Sequence, residues 1–160
     1  MNIVLIGMPG SGKSTLGKRV AERLHRRYVD LDECIERAAG MPIPEIFRAE
    51  GEAGFRRREK AALLALAGAE NQVIATGGGI ILDAENRAFL RKLGKVCYIR
   101  RDLAELVCGG NRPLSTSPEA LRKMFELRRS LYEETADVVI NNSTAAGIDS
   151  AVAAILSGVK

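Results

Sequence analysis

A glycine-rich turn between a strand pattern and a helix pattern constrains this chain most. The turn GMPGSGKST, residues 7–15, follows the apolar run IVLI, and after it Leu16, Val20 and Leu24 recur every four residues. That recurrence predicts one apolar face of a helix. A strand, a glycine-rich turn and a helix in this order are the setting in which such a turn binds phosphate groups.

The spacing of Gly7, Gly12, Lys13 and Ser14 is that of a phosphate-binding loop. In such a loop backbone N–H groups surround an anion, the lysine reaches the outer phosphates and the serine hydroxyl meets Mg²⁺. The alternative is a flexible connector, which the full spacing between strand and helix disfavours. We therefore predict a nucleoside triphosphate site formed by Gly10, Ser11, Gly12, Lys13, Ser14 and Thr15.

Composition limits the other functions of the chain. With 160 residues, 46% of them apolar and 28% charged, the chain is expected to form one globular domain. No apolar run approaches the roughly 18 residues that span a bilayer, and no signal peptide pattern is present, so we expect a cytoplasmic protein without a membrane partner. The net charge of +4 suits anionic ligands. Tryptophan is absent and aromatic residues are 4% of the chain, so no nucleic-acid partner is expected.

Cysteine and histidine are too sparse for several kinds of site. The three cysteines, Cys34, Cys97 and Cys108, lack metal-ligand spacing, and His25 is the only histidine. A Cys/His zinc site and a Ser/His/Asp triad are therefore excluded. We expect the cysteines to be reduced, small apolar residues.

Alternating strand and helix patterns predict the fold class. Five strand patterns contain the letters IVLI, YVD, QVIA, KVCYIR and DVVIN. Helices are predicted over ECIERAAG, around a break near Gly51 and on to Gly68, over 83–92, from DLAELV to Gly109, from an N-cap at Ser117 to Glu134, and over 148–156. The prediction is a three-layer α/β/α domain with a five-stranded, mainly parallel sheet. Its ligands should bind at the carboxyl ends of the strands.

The third predicted strand ends in threonine and so offers no carboxylate for the Mg²⁺ shell. The segment DLD, residues 30–32, offers two. Asp30 and Asp32 are two residues apart at a strand end, so both can face the cleft. We predict that one helps to hold the water shell of Mg²⁺ and the other polarises an acceptor hydroxyl and takes its proton. The alternative is that one of them only caps a helix beginning near Glu33.

Arg128 lies on an apolar helical stripe with Leu121, Met124, Phe125 and Tyr132. A guanidinium cannot lose its proton and is costly to bury alone, so an anion is expected beside it. A buried pair with Asp or Glu, or a side chain that reaches the surface, would be a structural alternative.

Two further motifs could bind a ligand: GFRRRE through the side chain of an arginine, and TGGG through its backbone. Arg56 lies near Phe47 and Phe55, which favours a pocket-lining position, whereas an exposed ion pair with Glu59 is the alternative. Gly77, Gly78 and Gly79 allow close backbone approach to a ligand, although a tight turn alone would also explain them. These features together predict a kinase for a small anionic acceptor.

The chain also resembles the shikimate kinase family along nearly its whole length. The motifs GMPGSGKST, DLD, IFRAEGEAGFRRRE, TGGG, NRPL and RRSLYEETAD occur in the family's order and approximate spacing. The resemblance implies a P-loop NTPase of the nucleoside monophosphate kinase type, with a lid. It also implies transfer of the ATP γ-phosphate to the 3-hydroxyl of shikimate, on the route to chorismate and the aromatic amino acids.

The resemblance implies specific roles at matching positions. Ser14 and Asp30 serve Mg²⁺, Asp32 contacts the acceptor hydroxyl, and Arg112 in the lid approaches the phosphates of ATP. Arg56, Gly78 and Arg128 hold shikimate, and Gly77 and Gly79 are predicted to complete that substrate site. The whole chain, 1–160, is expected to be one kinase domain and a monomer, with an acceptor segment at about 32–60 and a lid at about 109–118.

The chain departs from the usual family pattern near the adenine base. Family members commonly have a longer lid with another arginine before the Gly-Gly-Asn element, whereas here Val107 and Cys108 run directly into Gly109. NNSTAAG lacks the arginine and proline that the family often places against adenine. The other readings are a gluconate-like or nucleotide kinase of the same fold, or a nucleotide-dependent switch without an acceptor. The absence of an Asn-Lys-x-Asp motif disfavours a GTPase switch.

Overall fold

The computed structural model describes residues 1–106 and 117–159, which form a parallel sheet with helices on both faces. The strands are β1 (Asn2–Ile6), β2 (Arg27–Asp30), β3 (Gln72–Ala75), β4 (Gly94–Arg100) and β5 (Val138–Asn141). The helices are α1 (Lys13–Leu24), α2 (Leu31–Ala39), α3 (Ile43–Leu64), α4 (Ala84–Leu93), α5 (Pro118–Thr135) and α6 (Ile148–Gly158). Among these described residues, no helix has the length and apolarity needed to cross a bilayer.

The strand order is β2-β3-β1-β4-β5, and every neighbouring pair is parallel. The predicted fold class is thus confirmed. Parallel neighbours need crossover connections, and the helices between the strands supply them. Because β1 is central, the turn that follows it lies between the ends of all the other strands.

Alternation along β1 divides the apolar core between two faces. Ile3 and Leu5 pack with α1 and α6, whereas Val4 and Ile6 pack with residues of α3, α4 and α5. All four side chains are fully buried. A strand covered on both faces reads as a continuous apolar run, which is why IVLI shows no polar alternation.

Helix ends mostly follow the sequence signals. The Ser117 side chain accepts a hydrogen bond from the Ala120 N–H (3.1 Å), which confirms the predicted N-cap of α5. Gly51, with φ 71° and ψ −178°, breaks the helical geometry inside α3 as expected. The helix α2 begins at Leu31, not near Glu33, and α3 ends at Leu64, before Gly68.

One predicted helix is wrong within the described residues. The described part of the segment DLAELV, residues 102–106, contains only a 3₁₀ turn over Leu103–Glu105, after which Leu106 is extended. A predicted helix of eight residues, from 102 to 109, is too short to offset the cost of helix nucleation without strong packing. The predicted lid, including Gly109, lies almost wholly outside the described residues.

Candidate active site

The phosphate loop joins the end of β1 to the start of α1. Gly7 and Gly12 have φ of 151° and 94°, and a Cβ on Gly7 would lie 2.5 Å from the Ile99 carbonyl oxygen. Larger residues at these two positions would therefore distort the loop. Gly12 is the N-cap residue of α1 and has no side chain to cap the helix. The first turn of α1 also contains no acidic residue. The N–H groups of that turn are thus available to an anion.

Lys13 lies at the start of α1 and is only 8% exposed. Its Nζ donates hydrogen bonds to the carbonyl oxygens of Gly7 (2.8 Å) and Met8 (2.9 Å), and to Ser11 Oγ (3.4 Å). The charge-assisted bonds that phosphate oxygens accept are stronger than bonds to neutral carbonyls. The ammonium is therefore positioned to exchange loop oxygens for those of a triphosphate.

Asp30 combines a capping contact with a contact to the phosphate loop. Its Oδ1 accepts from the N–H groups of Asp32 (3.0 Å) and Glu33 (3.3 Å), so it is the N-cap of α2. Its Oδ2 accepts from the hydroxyls of Ser14 (3.2 Å) and Tyr28 (3.3 Å). Asp30 can therefore cap α2 and also face the cleft, two roles that sequence reasoning treated as alternatives.

Asp32 and Glu59 bring two carboxylates together beside Gly77. A Cβ on Gly77 would lie 2.9 Å from Asp32 Oδ1 and 3.1 Å from Glu59 Oε2, so glycine permits both approaches. Burial first, and then the charges of Asp30 and Glu59, raise the pKa of Asp32 from 3.8 to about 6. Burial also raises the pKa of Glu59, against the lowering effect of Arg56. This electrostatic arrangement gives Asp32 more affinity for a proton than an ordinary aspartate has.

Arg56 lies between the carboxylates of Asp32 and Glu59 and the turn formed by Gly77, Gly78 and Gly79, called the glycine turn below. Its Nη1 donates to Glu59 Oε1 (2.8 Å), and its guanidinium carbon lies 5.2 Å from the centre of the Phe55 ring. Arg56 packs against Gly79, because a Cβ there would lie 2.3 Å from Nη2. The ion pair is not the exposed one considered from sequence, since Glu59 is only 1% exposed.

Arg128 is 5% exposed and packs on the other side of the glycine turn. A Cβ on Gly78 would lie 3.3 Å from its Nη1. Within the ranges 1–106 and 117–159, Arg128 forms no ion pair with Asp or Glu. The structural alternative of a buried pair is thus not realised there. A buried guanidinium facing a cleft in this way favours an anionic ligand.

Tyr132, one helical turn after Arg128, fixes the glycine turn from behind. It is fully buried, and its hydroxyl donates to the Gly78 carbonyl oxygen (2.6 Å). Its ring stacks on Tyr98 with 5.0 Å between centroids. A buried tyrosine hydroxyl needs a partner, and here that partner is the backbone turn that faces the cleft.

Tyr132→Phe should therefore raise KM for the small acceptor bound at this turn about fivefold, since a net hydrogen bond contributes about 1 kcal/mol. KM for ATP should stay unchanged, because the phosphate loop is untouched. Steady-state kinetics with each substrate varied would measure both constants. The matched control is Tyr98→Phe, which keeps the stacked ring and leaves the Gly78 carbonyl bonded. Equal effects of both variants on the two KM values would contradict a positioning role for Tyr132.

The other side of the phosphate loop is bound to β4 and β5. Arg101 donates from Nε to the Asn142 carbonyl and from Nη1 to the Gly10 carbonyl, both at 2.9 Å. The buried Asn142 side chain donates from Nδ2 to the Ser11 carbonyl (2.7 Å). These bonds fix the outer wall of the loop, so the loop conformation depends on residues far along the chain.

These elements line one cleft of about 440 Å³. It brings together nearly all of the residues predicted from sequence: Gly10, Gly12, Lys13, Ser14, Thr15, Asp30, Asp32, Arg56, Gly77, Gly78, Gly79 and Arg128. Ser11 is buried in the loop beneath it. Arg112 lies outside the described residues.

Sequence reasoning missed several participants. Glu59 was considered only as an ion-pair partner, and Tyr132 only as part of an apolar stripe. A tyrosine four residues after a buried arginine was a usable signal, because both side chains share one helical face. Arg101 and Asn142 donate to backbone carbonyls, which every residue type has, so the sequence of the loop does not indicate these contacts.

A parallel sheet with a phosphate loop at its central strand, next to a cleft lined by carboxylates and arginines, defines a P-loop kinase of the nucleoside monophosphate kinase type. Residues 9–158 match the family model described as shikimate kinase. The chain is 45% identical over 149 residues to the shikimate kinase of Bordetella pertussis, covering 89% of this chain and 71% of that one. It is 44% identical to that of Pseudomonas paraeruginosa, covering 88% and 86%. The chain belongs to the shikimate kinase family.

Solved structures agree with this assignment. The shikimate kinase from Acinetobacter baumannii in complex with shikimate superposes with a TM-score of 0.89 at 40% identity, covering 98% of this chain and 93% of that one. The shikimate kinase from Aquifex aeolicus gives a TM-score of 0.85 at 34% identity, with coverages of 99% and 95%. The family and fold predicted from sequence are confirmed.

Proposed function

We propose that this chain transfers the γ-phosphate of ATP to the 3-hydroxyl of shikimate, giving shikimate 3-phosphate and ADP. The observation that carries the proposal is the position of Arg128, which is buried without an acidic partner among the described residues. It shares a cleft with the phosphate loop and Asp32. A small molecule with one carboxylate and a nearby hydroxyl would satisfy both the arginine and the aspartate.

The oxygen atoms of Ser14 and Asp30 fit Mg²⁺. They lie 3.2 Å apart, and both are the hard oxygen donors that this ion prefers. Among the described residues, no group of three or more His, Cys, Asp and Glu could hold a metal. The Ser14 hydroxyl and, through water, the Asp30 carboxylate would hold the ion together with phosphate oxygens of the nucleotide. When bound, Mg²⁺ would neutralise charge on the β- and γ-phosphates.

Asp32 is the proposed base. Its raised pKa favours acceptance of a proton from the acceptor hydroxyl, and the hydrogen bond would orient that oxygen toward the γ-phosphorus. Lys13 and the N–H groups of the loop would stabilise the charge on the transferring group. Arg112 is proposed to add a further positive charge from the lid.

The acceptor's carboxylate is proposed to bind Arg56 and Arg128 across the glycine turn. Gly77, Gly78 and Gly79 would supply backbone contacts to the rest of the ring. One chain supplies every group in this proposal, so a monomer is sufficient, and the cytoplasmic pool of ATP suits the reaction. Neither nucleic acid nor a membrane is required.

A coupled ADP-release assay tests the function. With ATP and Mg²⁺ fixed, shikimate should stimulate ADP release strongly, whereas gluconate and nucleoside monophosphates should not. Stimulation by one of those compounds instead would indicate another small-metabolite kinase. Rapid ATP hydrolysis that no acceptor stimulates would favour a nucleotide-dependent switch.

Asp32→Asn should lower kcat by roughly 10² or more, because the amide keeps the size of the side chain but cannot take the proton. ATP binding should persist, since the phosphate loop is intact. Turnover and equilibrium binding of ATP are the measurements. The matched control is Glu33→Gln, an exposed neighbour in the same helical turn. Retention of kcat in Asp32→Asn would exclude the base role.

The same variant should be more stable than wild type above pH 6. The folded state raises the pKa of Asp32 from 3.8 to about 6, so it binds the proton more tightly than the unfolded chain does. Stability from this group is therefore full at low pH and is lost as pH rises from about 4 to 6. Asn cannot ionise and avoids that loss. Thermal unfolding of ligand-free protein in EDTA, at pH 4 and pH 8, should show a gain only at pH 8.

A further inference from the structure

The order of the strands fixes where the adenosine of ATP must lie. The phosphate loop follows the central β1, and the acceptor residues Asp32 and Gly77 follow β2 and β3 on one side. In phosphoryl transfer the attacking oxygen, the phosphorus and the leaving oxygen are roughly in line. The adenosine therefore lies on the opposite side of the loop, above the ends of β4 and β5. This step rests on the proposed function.

Few side chains on that side can hold a base. Residues 143–147 after β5 read Ser-Thr-Ala-Ala-Gly, which offers no aromatic or other large planar group. The aromatic rings that line the described cleft, Phe47 and Phe55, belong to the acceptor segment. Among the described lining residues, Arg101 is the one planar side chain at the nucleotide end.

The guanidinium of Arg101 is held at its edge. Nε and Nη1 donate to the carbonyl oxygens of Asn142 and Gly10, both at 2.9 Å. These bonds lie in the plane of the group, so they do not occupy its faces. If Gly12 carried a Cβ, that atom would lie 3.3 Å from Arg101 Nη2. The absence of a side chain at Gly12 therefore allows the guanidinium to lie close to the phosphate loop. Arg101 is partly exposed and forms no ion pair with any described residue.

We propose that Arg101 is the platform on which the adenine base stacks. A guanidinium face attracts an aromatic ring, and the attraction grows when the site is partly desolvated. Two carbonyl bonds fix the plane before the ligand arrives, so little side-chain entropy remains to be lost on binding. The platform would compensate for the absence of a large side chain in residues 143–147.

The test separates the base from the phosphates. ADP and pyrophosphate share a diphosphate, and only ADP carries adenosine, so their affinities are measured by calorimetry in Mg²⁺ buffer without shikimate. Arg101→Lys keeps the positive charge but removes the plane. It should weaken ADP binding about 5- to 30-fold more than it weakens pyrophosphate binding, because any change that the lost bonds cause in the phosphate loop affects both ligands. Arg101→Gln should lower the ratio of ADP to pyrophosphate affinity by a similar factor.

The matched control is Arg100→Lys. Arg100 is the preceding residue, is exposed, and donates from Nε to Asn141 Oδ1 (2.9 Å), so its variant should bind ADP normally. Equal losses of ADP and pyrophosphate in Arg101→Lys would mean that Arg101 only shapes the phosphate loop, and unchanged ADP affinity would mean that the base binds elsewhere. Either result overturns the platform. Wild-type protein that bound neither ligand would instead contradict the proposed ATP-dependent function.

Discussion

Lys13→Met should lower kcat by about two to three orders of magnitude while the protein stays folded. The ammonium of Lys13 lies inside the cleft on the carbonyls of Gly7 and Met8, at 2.8 and 2.9 Å. Transfer of a phosphoryl group requires little covalent participation by the protein, so catalysis depends on position and charge. Methionine matches the apolar stem of lysine but offers no charge to the γ-phosphate.

The unfolding temperature provides the necessary control for that experiment. Lys13→Met removes the donor from the carbonyl oxygens of Gly7 and Met8, but it also removes the cost of burying an ammonium, so the variant should still fold, with a modestly lower unfolding temperature. Lys92→Met, which removes an exposed charge from α4, should leave both kcat and stability unchanged. More than about a tenth of wild-type turnover in Lys13→Met would contradict the role, because such groups typically contribute far more.

Local chemistry explains which parts of the site were predictable. The phosphate loop is continuous in sequence, and its glycines are required by backbone geometry at Gly7 and Gly12. Its position, conformation and neighbouring strand could therefore be predicted from nine letters. The parallel sheet followed from alternation of strand and helix patterns, because parallel neighbours need crossovers.

Long-range packing explains what could not be predicted. Arg56 and Glu59, three residues apart, form a pattern that fits an exposed helical pair equally well. The burial of Glu59 depends on contact with Gly77, which lies in another element and has no side chain to signal the contact. The bonds from Arg101 to backbone carbonyls are likewise independent of the residue types they contact.

The two arginines beside the glycine turn should contribute unequally. Arg56 is already paired with Glu59 (2.8 Å) and lies 3.6 Å from Glu52, so part of its charge is compensated. Arg56→Ala would also leave the buried Glu59 without its partner, which costs stability as well as binding. Arg128 forms no ion pair among the described residues, although its charge lowers the pKa of the buried Glu59. Arg128→Ala leaves no orphaned carboxylate, because Glu59 keeps its ion pair with Arg56. Its effect should fall on the ligand rather than on the fold.

Arg128→Ala should therefore reduce kcat/KM for shikimate by roughly 30-fold to several thousand-fold. This corresponds to about 2 to 5 kcal/mol for loss of one partner from a desolvated charge pair. Arg128→Lys should be nearly as damaging, because an ammonium cannot hold a carboxylate bidentately. Arg129→Ala, the exposed neighbour on the same helix, should change kcat/KM little, and Arg57→Ala is the corresponding control for Arg56.

A substrate analogue with a neutral amide in place of the carboxylate makes the assignment specific. Wild type should strongly prefer shikimate to the amide, because the amide gives the buried guanidinium of Arg128 no anionic ligand. Arg128→Ala should lose most of that preference, and Arg56→Ala a smaller part of it, since Glu59 already shares the Arg56 charge. The ratio of kcat/KM values for the two substrates is the measurement, and it is insensitive to partial unfolding, which lowers both values equally. Undiminished preference in both variants would place the carboxylate elsewhere and reduce Arg128 to a structural residue.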